Sequence, residues 1–262
     1  MDFLDLGEKS IFFFLLVFFL GAVAAQCLSV GGLFFFKRSG DYRANGFFGT
    51  LLILFGLTLL HNILYFAGAY EFFPRLKFAP LYYTLAFPPL LFYHVKLSLY
   101  PSYRMRRTDL KHFLLPVLQF LFFLVLFLLP SSIKSQWDRS FFNPFYGAFE
   151  QLLYLVSFVA YLYFSHRYVR QRRLELSGRF KLKRELKKVL YERALIRILF
   201  QLFVIHALFI LADFVCYEFL GINLRAVRAY VALGMLSFAA LGVWLGTYGF
   251  QVLLWGRKVF GQ

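Results

Sequence analysis

The chain has 262 residues; 61% are hydrophobic, 22% aromatic and 16% charged, and the net charge is +16. A soluble domain carries charge on about a quarter of its residues, so this composition leaves too little polar surface for a water-covered globule and points to an integral membrane protein. In that setting the basic excess reads as loop charge facing anionic lipid, and no base-reading motif accompanies it, so direct nucleic-acid binding is not expected.

The N-terminal MDFLDLGEKS is acidic, unlike the basic start of a secretory signal, and the apolar run after it is long enough to be a retained helix. A bilayer core of about 30 Å takes about 20 apolar residues as helix. Seven segments meet that length, at 11–36, 46–69, 78–99, 110–130, 146–166, 194–217 and 228–255. They are continuous and lack period-2 alternation, so the predicted fold is an all-α, polytopic seven-transmembrane-helix bundle forming a single domain. In the first span Gly21, Ala25 and Ser29 recur at four-residue spacing, and in the last Gly242 and Gly246 do the same. Small residues let backbones approach, so both stripes are predicted helix-packing faces, within the bundle or between protomers of a homo-dimer. Pro88 and Pro89 fall inside the third predicted span and are expected to kink it. Cys27 and Cys216 lie in apolar runs and read as packing residues.

Lys and Arg placement sets the orientation. Twenty-two of the 29 lie in the odd-numbered connections, their flanks and the C-terminal tail, and 7 lie on the other side. The bias puts the C-terminus and those connections in the cytoplasm and the N-terminus outside. The densest run, 167–193, becomes the third cytoplasmic loop. Leu182, Leu186, Val189 and Leu190 recur there at helical spacing among cations. That pattern predicts a helix on the inner leaflet or an extension of the sixth span, with Arg170, Arg172, Arg173, Lys181, Lys183, Arg184, Lys187 and Lys188 contacting anionic headgroups or a protein partner.

Polar groups in hydrocarbon are costly and turn toward the bundle interior or water. Gln26, His61, Asn62, Glu150, Tyr154, His206 and Asp213 are the candidate ligand-pocket residues, with Gln119 and Gln151 as further intramembrane polar positions. Two readings stay open: one outward-facing pocket, or separate groups that each cap or pair near their own helix end. The five histidines are scattered and form no di-iron or HExxH cluster; GxSxG and phosphate-cradling glycine loops are missing; the last span has no mid-helix lysine for retinal. Enzyme chemistry, a metal centre and a cofactor are therefore not expected.

Three stretches carry a resemblance: GAVAAQCLSVGGLFFFKRSGDYRANGFFGTLLILFGL, FPPLLFYHVKLSLYPSYRMRRTDLKHFLLPVL, and the fifth span with its exit YLYFSHRYVRQRRLE. Together they resemble the membrane-embedded N-terminal region of a group of bacterial AraC-type transcription regulators common among Bacteroidetes. The most specific elements are Arg43-Ala44-Asn45 and the stretch from Asp109 to Pro116. In that group a helix-turn-helix DNA-binding module follows the last membrane helix; here the sequence runs to Gln262 without one. The resemblance implies a sensory, signal-transducing module of the bacterial inner membrane whose output another chain supplies. An accessory subunit of a larger membrane complex is the alternative, and a transporter or membrane enzyme a more distant one.

Overall fold

The computed structural model describes residues 11–36, 41–134, 147–177 and 183–259. Among these residues it is all-helical. Seven longer helices run in order: α1 Ile11–Phe36, α2 Tyr42–Phe66, α3 Phe87–Leu99, α4 Leu114–Leu128, α5 Ala148–Leu176, α6 Lys183–Leu220 and α7 Arg228–Val259. Five helical stretches are long and apolar enough to cross a membrane: Ile11–Phe36, Tyr42–Phe66, Arg107–Leu128, Glu185–Leu220 and Arg228–Leu254. Their outer faces are apolar; Phe18 is 77% and Phe36 88% exposed, so these rings face whatever solvates the bundle, and only lipid would do so without cost.

The helices close into a ring in which α1 packs on α2 and α7, α2 on α3, α3 on α5, α5 on α6, and α6 on α7. One apolar core runs through it, built on Leu20, Phe48, Leu52, Phe55, Phe87, Phe203 and Leu245 among others. α4 lies to one side, against the turn before α3.

The close-packed glycines agree with the prediction on α7 and depart from it on α1. A Cβ on Gly31 would meet the Gly49 carbonyl at 2.9 Å and the Ile53 backbone nitrogen at 3.0 Å, and one on Gly56 would meet Leu28 and the Ala24 carbonyl. The α1–α2 seam is therefore set by Gly31, Gly49 and Gly56. The Gly21, Ala25, Ser29 stripe does not pack within the bundle: Gly21 has open space around it, and Ala25 and Ser29 are exposed. On α7, Gly242 lies against Phe55 and Val23, and Gly246 against the side chain of Gln26.

The third predicted span is corrected in a way that matters for the site. It is not one kinked helix. Residues 78–86 are irregular apart from a short 3-10 turn at Thr84–Ala86, and α3 begins only at Phe87. Pro88 and Pro89 stand in its first turn, where a missing N–H costs nothing and a fixed φ suits the helix; they start α3 and do not kink it. Phe78 has φ 65°, the left-handed region, which a bulky residue adopts only when its surroundings hold it there. All thirteen residues of α3 are buried, which makes it the central rod of the bundle.

Two connections tie the chain on either side of α3 to the bundle. Arg43 Nη2 donates to the carbonyls of Pro101 and Tyr103, both at 2.7 Å, and so pins the chain leaving α3 to the start of α2. The Ala44 carbonyl is bonded to His94 Nδ1 at 3.0 Å. Asp109 caps its own turn, accepting from the Arg106 N–H and the Tyr103 hydroxyl at 2.7 Å each, and lies 3.9 Å from Lys96. Lys96 is buried with its ammonium 3.7 Å from the Tyr103 ring centre, a cation–π contact.

The sixth predicted span proves longer than its apolar core. α6 is one unbroken helix of 38 residues, so the basic run from Lys183 onward continues that span and is not a separate surface helix, while 167–176 belongs to α5. α5 likewise runs 29 residues. Arg172 joins them, bonded to Glu175 at 3.0 Å and Glu185 at 3.4 Å. Burial works against its charge, yet the bonds to Glu175 and Glu185 and their negative charges hold its pKa above the usual arginine value. Lys188 pairs with Asp41 at the start of α2. Arg172 and Lys188 are thus engaged within the protein and are not free headgroup contacts, whereas Arg170, Arg173 and Lys187 are exposed. Lys181 lies outside the described residues, as do the side chains of Lys183 and Arg184.

Candidate functional site

Six of the seven predicted pocket residues line one cavity of about 220 Å³: His61 and Asn62 from α2, Glu150 and Tyr154 from α5, His206 and Asp213 from α6. The seventh, Gln26, is not among its lining residues; it packs on Gly246 instead. Spacing explains the convergence. Glu150 and Tyr154 are four apart on α5 and share a face; His206 and Asp213 are seven apart on α6 and do the same.

The unwound segment before α3 supplies the wall opposite. Non-helical backbone buried in an apolar bundle must have its polar groups satisfied by protein. Here side chains do it: the Leu85 N–H donates to Gln119 Oε1 at 3.1 Å, and the Tyr83 N–H donates to Thr58 Oγ1 at 3.0 Å. Gln119 Nε2 in turn donates to Thr84 Oγ1 at 3.1 Å, which leaves the Thr84 hydroxyl proton for Glu150 Oε1. Tyr82 donates to Glu150 Oε2 at 3.3 Å. Glu150 is 3% exposed, and both its oxygens are held by groups from 78–86.

The far end of α6 folds a cation back over the cavity. Gly221 takes φ 66° and the Ile222 N–H bonds the Cys216 carbonyl at 2.9 Å, a glycine-terminated helix end. Asn223 Oδ1 accepts from the Arg225 N–H at 3.2 Å and turns the chain inward. Arg225 Nε then meets Asp213 Oδ2 at 3.0 Å, while Gln151 Nε2 donates to the same oxygen at 2.8 Å. Burial disfavours the guanidinium's charge, but Asp213 beside it outweighs that and raises the pKa of Arg225 above its ordinary value. The Arg225 side chain is 32% exposed, so it stands at the rim.

Two polar atoms on this lining lack any partner among the described residues: the Tyr154 hydroxyl and Gln151 Oε1, on residues 2% and 7% exposed. A buried polar atom left unpaired costs about 1–3 kcal/mol. His206 adds a third free valence. Ser237 donates its hydroxyl to the Gly234 carbonyl at 2.6 Å, so His206 Nδ1 must be the donor in its 2.9 Å bond to Ser237, leaving Nε2 as an acceptor. Among the described residues no group of three His, Cys, Asp or Glu is placed to hold a metal ion.

The floor of the cavity is aromatic. Phe238 stacks on Phe55 with ring centres 4.4 Å apart, and Phe55 contacts Phe87 at 5.0 Å. Beyond them lies a second buried polar group: Ser98 Oγ donates to Glu192 Oε1 at 2.5 Å, with His94 Nε2 3.7 Å from the same oxygen. Sequence reasoning missed Arg225, Tyr82, Thr84 and this second group. Comparison with family models, with curated proteins and with solved structures returned no match.

Proposed function

We propose that this chain is a sensory module of the bacterial inner membrane: a seven-span bundle that binds a small ligand in the Glu150 cavity and reports it to a cytoplasmic partner. The observation that carries the reading is the cavity itself, roofed by Arg225 and lined by two buried polar atoms without partners. Groups placed at such cost are worth keeping where a ligand satisfies them. The Lys and Arg bias supports an orientation with Arg225 outside and the 167–193 run inside.

The output path follows from the helices. α5 carries Glu150 and Tyr154 at one end and Arg170 and Arg173 at the other; α6 carries Asp213 and His206 at one end and Glu192 and Lys187 at the other. At 1.5 Å per residue α6 is about 57 Å long, roughly 27 Å more than the hydrocarbon core. The same two rigid helices wall the cavity and form the basic projection. A ligand with different affinity for two α5–α6 arrangements would move that projection. The resemblance of three stretches to membrane-bound AraC-type regulators points the same way. No catalytic role is proposed. The exposed Gly21, Ala25, Ser29 stripe favours a second reading, an accessory subunit whose α1 packs on a neighbouring membrane protein.

Single cysteines at Lys187 and Ile222, probed with a membrane-impermeant maleimide on intact cells, test the orientation; Ile222→Cys should label and Lys187→Cys should not. Purification in mild detergent followed by identification of what is retained tests the function. A non-lipid small molecule is expected; a stoichiometric membrane subunit in its place would favour the second reading.

A further inference from the structure

The charges of the cavity are not balanced. Its lining holds two carboxylates, Glu150 and Asp213, against one cation, Arg225. Open hydrogen-bond acceptors line it as well. Each Glu150 oxygen accepts one side-chain hydrogen bond out of the two it can take, Gln151 Oε1 accepts none among the described residues, and His206 Nε2 is an acceptor. Beside these stand the Tyr154 and Tyr65 hydroxyls, the His61 ring, the Asn62 amide and the Arg225 guanidinium at the rim. The remaining surface is aromatic, with Tyr82, Phe123, Tyr230 and Phe238 among the lining rings.

We infer that the cavity takes a small organic monocation bearing N–H donors on an apolar body, in its simplest form a primary arylalkylamine. The ammonium would sit where Glu150, Gln151 Oε1 and His206 Nε2 accept from it, and the body would lie against the rings, which attract a cation as well as burying carbon. This rests on the cavity being a ligand site. It adds a selectivity that the site alone does not demand: positive charge and N–H donors are both required. A quaternary ammonium brings charge without donors, an alcohol a donor without charge, and a carboxylate the opposite sign.

The test measures thermal unfolding of the full chain in lipid nanodiscs at neutral pH against four probes of one shape: phenethylamine, its N,N,N-trimethyl derivative, 2-phenylethanol and phenylacetate. Phenethylamine should raise the midpoint saturably, and the other three should bind at least about 10-fold more weakly, the loss expected when charge-assisted hydrogen bonds are removed. Glu150→Gln and Gln151→Leu should each weaken the amine about 10-fold or more, while Lys187→Ala should leave it unchanged. Equal or tighter binding of any of the other three overturns the assignment. If such a probe acts on the wild type and loses its effect in Tyr154→Phe, the cavity survives as a ligand site with the wrong chemistry assigned. If none of the four shifts the midpoint at millimolar concentration, the cation assignment fails; if in addition nothing but lipid is retained on purification, the ligand-site reading fails with it.

Discussion

Replacing Gln119 by Leu sets the geometry against hydropathy. Gln119 is fully buried on α4, and both ends of its amide are engaged: Oε1 accepts from the Leu85 N–H and Nε2 donates to Thr84 Oγ1, each at 3.1 Å. On an insertion scale Leu is a favoured membrane residue, worth about 0.3–0.6 kcal/mol at a helix centre. The structure predicts the opposite net sign. Leu cannot accept from Leu85, whose N–H belongs to an unwound segment with no helical partner, and a buried unpaired donor costs about 1–3 kcal/mol. The lost bond to Thr84 adds about 0.5–1.5 kcal/mol. The sum after the hydropathy gain is a destabilisation of about 1–4 kcal/mol, enough to lower a thermal midpoint by about 2–16 °C for a chain of this size. Because Thr84 also holds Glu150, Gln119→Leu should weaken ligand binding while Gln119 itself never touches the cavity. Differential scanning fluorimetry in detergent checks the stability. A variant that melts at or above the wild type would show that 78–86 is not held by this amide, and the wall of the site would have to be redrawn.

Further outcomes follow from single contacts. Gly31→Ala drives a Cβ into the Gly49 carbonyl and should destabilise by about 1–3 kcal/mol; Gly21→Ala meets open space and should gain up to about 1 kcal/mol of helix propensity, a difference of sign readable in paired melting curves. Tyr154→Phe removes a buried hydroxyl that has no partner among the described residues, so the ligand-free protein should melt at the same temperature or higher while ligand affinity falls. Arg43→Lys replaces the planar guanidinium, whose Nη2 donates to two carbonyls, with a compact ammonium on a shorter side chain and should speed proteolysis of the 100–106 connection. Arg172→Ala should cost no more than about 1 kcal/mol, since its ion pairs are partly exposed, but should raise hydrogen exchange where α5 and α6 meet at 172–188.

Much of the site could be read from sequence because lipid is a strict solvent. His61, Asn62, Glu150, Tyr154, His206 and Asp213 stood out as polar residues in apolar runs, and such residues gather where they can satisfy one another. Gln26 gave the same signal and faces α7, because polarity says that a residue must turn inward and not toward which neighbour. Arg225 gave no signal: it lies in a connection, where cations are ordinary, and only the Gly221 helix end and the Asn223 turn bring it back to Asp213. Pro88 and Pro89 were ambiguous for a physical reason. Proline in an apolar run reads equally as a kink in one helix or as the first turn of another, and the choice depends on the Thr58 and Gln119 side chains from elsewhere in the fold that satisfy 78–86. The glycine seam was missed because a periodic stripe on one helix was sought; Gly31 meets Gly49 across two helices, a pairing without a spacing in one segment. The helical nature of the basic run was visible in its leucine spacing, but that its part from Lys183 onward continues α6 without a break depended on residues beyond the run.

The most direct test of the account is native mass spectrometry of the wild type and Glu150→Gln, each purified in the same mild detergent from its own membrane. Occupation of the cavity predicts a stoichiometric, non-lipid small-molecule adduct on the wild type that is lost or much reduced in Glu150→Gln, with both proteins folded and equally lipidated. Identical spectra carrying only bulk lipid, or a stoichiometric membrane subunit retained by both, would contradict it.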